Sequence, residues 1–229
     1  MEKLTRAFLL SLIVVLLLPF IASAQQNMVW GYGQYGTNTV YDTYGGVDVF
    51  YTRALNSNVD VTGGLDLMSK KGGFGGVLAE VRYRIPVKGI NVFVSGRGVY
   101  NYYGHSRMNE YLFRIALHAQ SQYFDVVFGN SFLGYSSFGS SVFEPITWSV
   151  GFAANIKKRS SKWNFGAFIR NYDYFIYENW NINFGFRGWY DISDQLRLTG
   201  EFMTRPAGSM NQLAMKYDTS IKIGVNYKW

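Results

Sequence analysis

Between Asn179 and Tyr190 the chain alternates. Trp180, Ile182, Phe184, Phe186 and Tyr190 fall on one parity, and Asn179, Asn181, Asn183, Gly185 and Arg187 on the other. A period of two places the sets on opposite faces of a strand, and helical spacing fits neither. The alternation recurs at Trp148, Val150, Phe152, Ala154 and Ile156, at Trp163, Phe165, Ala167 and Ile169, at Tyr111, Phe113, Ile115 and Leu117, and at Val77, Ala79, Val81, Tyr83 and Ile85. Taken in order it predicts strands near 27–35, 45–54, 59–68, 76–85, 90–100, 110–119, 123–131, 147–156, 162–170, 179–190, 195–204 and 217–229. Each is about ten residues long, the length a tilted strand needs to cross a hydrocarbon layer. The first and seventh have poorly defined apolar faces, which leaves ten strands as the alternative to twelve.

The connections support the count. Short ones follow the even strands (55–58, 86–89, 120–122, 157–161, 191–194) and longer ones the odd strands (36–44, 69–75, 101–109, 132–146, 171–178, 205–216). Outer-membrane barrels show this asymmetry, with tight periplasmic turns, longer external loops and an even strand number that leaves both termini periplasmic.

Lys3 and Arg6 precede an apolar run from Ala7 to Phe20, followed by Ala22-Ser23-Ala24. A basic start, a short apolar core and small residues at −3 and −1 predict a cleaved secretory signal peptide over 1–24, leaving 25–229 as one exported domain. No later stretch is apolar enough for a helical span.

The C-terminal segment places Tyr217, Thr219, Ile221, Ile223, Val225, Tyr227 and Trp229 on one face and ends on an aromatic residue. In this it resembles the bacterial outer-membrane β-barrel proteins, a porin-like architecture class with no narrower family indicated. The resemblance implies that Ile223, Val225, Tyr227 and Trp229 form the signal read by the barrel-assembly machinery. It also implies the Gram-negative outer membrane, with its lipid and lipopolysaccharide, as the protein's surroundings. Trp148, Trp163, Trp180, Tyr190, Tyr227 and Trp229 fall at the ends of outward faces, with Tyr83, Tyr100 and Tyr111. Amphipathic rings prefer this boundary between lipid and water. A soluble β-protein with as many outward apolar positions would aggregate, whereas a closed barrel in lipid has neither exposed edges nor a wetted apolar face. The fold class expected is therefore all-β: a closed, antiparallel, up-and-down transmembrane barrel of about twelve strands.

Composition narrows the chemistry. With 48% apolar residues the chain is no disordered coil. It has no cysteine and two histidines, which removes disulfide scaffolds, thiol nucleophiles and cysteine-ligated metals and leaves little for an imidazole site. No cofactor and no nucleic-acid partner is implied. Without 1–24 the charge is +6, from 20 basic and 14 acidic residues.

Most of that charge lies on the inward parity, because Arg or Lys facing lipid at the midplane costs about 2–4 kcal/mol. The candidate lumen residues are Glu80, Arg82, Arg84, Arg97, Glu110, Arg114, Arg170, Arg187, Arg197, Glu201 and Lys222, with further acids at Asp48, Asp60, Asp66, Asp125 and Asp218. Two functions compete for this set. Rings of charge would bias passage of small solutes or ions through a narrow or gated pore. Alternatively, acids and bases such as Glu80 with Arg97, or Glu201 with Lys222, would pair and close the lumen of a structural, adhesive or assembly barrel. Tyr123, Phe50, Phe93 and Phe168 also point inward by parity, and twelve strands lie between a filled and an open barrel. The loop over 132–146, the longest, with Phe132, Tyr135, Phe138 and Phe143, is the one expected to fold inward or meet a partner.

A lipid hydrolase would need Ser beside His with an orienting third group. His105-Ser106, with Ser136, Ser137, Ser140, Ser141 and Glu110 nearby, is the nearest approach, and its spacing matches no hydrolase motif. The glycines at 72, 73, 75 and 76 suit a hairpin tip better than a phosphate loop, since no helix follows. Lys157, Lys158, Arg159 and Lys162 read as a solvated turn.

Overall fold

Each predicted segment forms a strand in its described part in the computed structural model, which describes residues 26–38, 42–69, 73–104, 106–143, 147–157, 161–175, 182–205 and 218–229. The wall strands are β1 (Asn27–Asn38), β2 (Asp42–Ala54), β3 (Val59–Met68), β4 (Phe74–Ile85), β5 (Asn91–Tyr103), β6 (Met108–Gln120) and β7 (Phe124–Ser137). After the four-residue β8 (Ser140–Phe143) the wall resumes with β9 (Thr147–Lys157), β10 (Trp163–Arg170), β11 (Asn183–Asp191), β12 (Leu196–Arg205) and β13 (Asp218–Lys228). The segment 1–24, Trp180 and His105 lie outside the described residues.

All pairings are antiparallel. β7 pairs with β9, β8 pairs only with β7, and β13 returns to β1 in register from Met28↔Lys228 to Asn38↔Asp218. The result is a closed twelve-stranded ring with β8 outside it. Closure satisfies each wall strand on both sides, the condition for backbone in a hydrocarbon layer. The seam is made by the C-terminal strand, where Asn27 N donates to Trp229 O at 2.9 Å and Trp229 N to Asn27 O at 3.1 Å.

Side chains sort by parity. On β6, Tyr111, Phe113, Ile115 and Leu117 are exposed, while Glu110, Leu112, Arg114, Ala116 and His118 are buried. On β9, Trp148, Val150, Phe152 and Ile156 face out, and Ser149, Ala153 and Asn155 face in. β1 hides its pattern because its largest ring, Trp30, faces inward and stacks on Phe50 at 3.7 Å between ring centroids.

At the end carrying the short turns, Trp163 packs on Tyr190 at 4.6 Å and Tyr227 on Trp229 at 5.7 Å. At the loop end, Tyr100 meets Tyr111 at 5.4 Å and Trp148 stacks on Phe128 at 5.0 Å.

Three expectations need correction. First, several long connections are largely strand: β1 and β2 run on to the pair Asn38↔Asp42, and β5 and β6 to Tyr103↔Met108. Their polar residues pair as hairpins beyond the apolar band instead of looping. Second, the connection over 132–146 does not enter the barrel in its described part. β7 and β8 make a hairpin with positive φ at both turn residues, Phe138 (50°) and Gly139 (84°), and Phe138 and Phe143 are 82% and 81% exposed. Two positive-φ residues suit the tight turn whose twist matches the flanking strands. Third, Tyr123 precedes β7, which begins at Phe124, and it is exposed rather than inward.

Candidate functional site

The lumen is crossed by the segment after β10. Asn171 leaves the wall with its side chain bonded to the backbone of β9, donating to Trp148 O at 2.7 Å and accepting from Val150 N at 2.9 Å. Residues 172–175 then reach across to strands that are not their neighbours. Asp173 receives Lys222 Nζ at 2.8 Å, and Arg170 lies 3.4 Å away. Arg97 donates to Tyr174 O at 3.2 Å and Asn101 to Phe175 O at 2.7 Å. Phe175 enters an apolar layer formed by Trp30, Phe50, Leu78, Val99, Leu112 and Leu133. The wall is shaped for this ring: a Cβ on Gly76 would lie 2.9 Å from it, and one on Gly64 3.4 Å.

The charges fall into two groups around this segment. On one side Lys222 also reaches Asp48 at 3.2 Å, Gln34 donates weakly to Asp48 (3.3 Å) and Asp66 (3.4 Å), and Arg170 binds Glu201 at 2.7 Å. On the other, Glu80 holds Arg82 at 2.8 Å and Arg97 at 3.0 Å. The next residue in that row is Arg114, directly opposite Arg97 in register. Arg114 is 1% exposed and, among the described residues, in no ion pair; the ring of Tyr172 lies 4.4 Å from its guanidinium. Nearby, Arg187 binds Asp125 and Asn155, and His118 shares a 2.8 Å hydrogen bond with Ser95 while stacking on Phe93.

Among the described residues, cavities lie on the turn side of this constriction. One, of about 170 Å³, is lined by Arg82, Arg97, Arg114, His118, Arg170 and Arg187 among others. The second, of about 340 Å³, opens between Tyr32, Tyr174, Asp191, Arg197 and Lys228. Among the described residues the interior is thus neither an open channel nor a packed core.

Of the predicted lumen residues, Glu80, Arg97, Glu110, Arg114 and Lys222 are buried, and Arg82, Arg170, Arg187 and Glu201 are half-buried. Arg84 is exposed at the turn-side mouth, 3.9 Å from Asp60, and Arg197 lies there 2.5 Å from Asp191. Glu80 and Arg97 pair as expected. Glu201 and Lys222 are register neighbours but take other partners, because Asp173 draws the lysine inward and Arg170 is nearer to the glutamate. Ile223, Val225, Tyr227 and Trp229 all face outward and are exposed.

Tyr172, Asp173, Tyr174 and Phe175 carry no strand parity, so sequence reasoning missed them. Their one signal is three aromatic rings around a carboxylate, an apolar composition for a solvated loop.

No protein-family model and no curated protein sequence matches the chain. Solved structures do. The KdgM porin in complex with disordered oligogalacturonate covers 86% of this chain and 98% of its own at TM-score 0.54 and 8% identity. An outer-membrane channel from Pseudomonas putida F1 covers 91% and 97% at TM-score 0.55 and 9% identity. The fold is that of the porin-like outer-membrane barrels. The outer-membrane phospholipase A of Escherichia coli shares it at TM-score 0.50 and 8% identity, covering 87% and 89%. The fold by itself therefore leaves solute passage and lipid hydrolysis both open.

Proposed function

We propose that this chain is a narrow, loop-constricted pore of the Gram-negative outer membrane, passing small solutes or ions through a charged lumen. In this reading 1–24 is removed on export, the turn end with both termini faces the periplasm, and the barrel-assembly machinery reads the outward face of β13. The carrying observation is the constriction itself. Residues 172–175 are held across the lumen by a few polar contacts and the apolar seat of Phe175, above cavities lined with charge. A barrel whose only task is to be a rigid wall gains nothing from charge-lined cavities at its centre. Solute passage is favoured over lipid hydrolysis because the Ser95–His118 pair is buried inside the lumen, away from lipid.

Purified full-length protein in a planar bilayer should show stepwise conductance, and replacing residues 172–175 by a glycine-serine segment should enlarge the steps. Silence from both, with heat-modifiable migration showing folded barrels, would overturn the pore. A second reading, an interaction barrel, is favoured by the exposed Phe138, Val142 and Phe143 on the β7–β8 hairpin. It predicts that silence together with a partner retained on gentle extraction and lost in Phe138→Ser.

A further inference from the structure

We propose that the smaller turn-side cavity is a binding site for a small oxyanion, a carboxylate or a phosphate, with Arg114 as its principal ligand. The inference rests on the pore reading for access from water and goes beyond it in naming a ligand class and a site.

The row Glu80, Arg97, Arg114 runs across three adjacent strands at one height. Like charges directly opposite one another on a sheet are unfavourable. The single carboxylate of the row is already shared between Arg82 and Arg97. Arg114 is left with Nε and Nη2 buried and without a hydrogen-bond partner. A buried unpaired charge is among the least favourable arrangements a protein can hold, and a bound counter-charge is its direct remedy.

Two features show that the missing partner is a ligand. The cavity beside Arg114 is lined by five guanidiniums and two carboxylates, and both carboxylates are engaged, Asp125 by Arg187 and Asp173 by Lys222 and Arg170. The cavity wall is also made of small residues on β9, which presents Gly151 and Ala153 inward, with Tyr172 lying over Gly151. The resulting volume of about 170 Å³ is several times the roughly 30 Å³ share of one water. Tyr172 lies against one face of the Arg114 guanidinium, and the unpartnered Nε and Nη2 are the in-plane groups with which arginine makes two-point contacts to carboxylate and phosphate.

The test is equilibrium dialysis of the detergent-solubilised full chain at low salt against radiolabelled inorganic phosphate and, separately, radiolabelled glucuronate. Saturable, equimolar uptake of either probe is expected. Phosphate alone would assign the phosphoryl class, glucuronate alone the carboxylate class, and both an unselective oxyanion site. Arg114→Gln should weaken uptake by about tenfold or more, the scale of one lost charge-assisted contact. Arg114→Lys, which keeps the charge but loses the planar fork, should weaken it severalfold. Lys88→Gln, in an exposed turn outside the lumen, should leave it unchanged. No saturable uptake by the wild type, or equal uptake by Arg114→Gln, overturns the site. Because the readout is binding, uptake beside a silent bilayer would retain the site and remove the pore, and conductance without uptake would do the reverse.

Discussion

The two sides of the lumen solve the problem of buried charge differently. Around β13 and β2, Lys222 is flanked by Asp48 and Asp173, and Arg170 by Asp173 and Glu201, so each cation has two carboxylates within reach and Asp173 ties both to the crossing segment. Around β4 to β6, Glu80 holds Arg82 and Arg97, and Arg114, the next residue in the row, lies outside that pairing. The first side is closed by its own chemistry; the second holds unspent positive charge beside a cavity. The balanced side anchors the constriction, and the surplus side meets whatever passes it.

The comparison breaks most sharply at Lys222. Lys222→Met leaves Asp48 buried without its cation and Asp173 with Arg170 alone, and removing one partner of a buried pair typically destabilises by about 3–5 kcal/mol. Arg114→Met removes a charge that has no partner and should be neutral or stabilising. Denaturant unfolding of both variants in lipid, followed by intrinsic tryptophan fluorescence, measures the contrast. Equal losses would mean that the two sides are not electrostatically distinct.

A smaller effect should appear at the constriction. A side chain at Gly76 would meet both Phe175 and Asn101 Oδ1, the latter 2.7 Å from a Cβ. Asn101 is also the donor that holds Phe175 O. Gly76→Leu should therefore displace the segment from its apolar seat while the balanced side stays intact. Larger single-channel steps are expected, with a modest loss of stability. Unchanged steps would place the limiting width elsewhere in the barrel.

What could be read in advance follows from how far the period of two extends. Parity placed Arg97 and Arg114 inside and Phe113 and Ile115 outside because a strand offers only two faces, and an error of one residue would exchange them all. The same logic located Glu80 opposite Arg97. It gave no access to Asp173, which belongs to no strand, and so it matched Lys222 with its register neighbour Glu201. The β7–β8 hairpin misled for a related reason. Rings at Phe138 and Phe143 look destined for burial, but positive φ at Phe138 and Gly139 turns the chain back on itself outside the ring.

The smallest expected effect sharpens the comparison by its contrast with Lys222. Arg197 and Asp191 lie 2.5 Å apart, one of the shortest ion-pair contacts in the barrel, yet both side chains are about one-third exposed at the turn-side mouth. Water there screens the attraction and solvates either partner once the other is gone, so exposed pairs contribute about 0–1 kcal/mol whatever their length. Lys222 to Asp48, at 3.2 Å, is the longer contact, but its partners are 7% and 1% exposed. Arg197→Gln should therefore lower stability by less than about 1 kcal/mol in the same unfolding measurement, and raising the salt should narrow its difference from wild type. The Lys222→Met difference should persist in salt, since screening hardly reaches a pair enclosed by the wall and the crossing segment. A loss at Arg197 as large as that at Lys222 would show that contact distance, and not enclosure, sets the strength of the charges in this lumen.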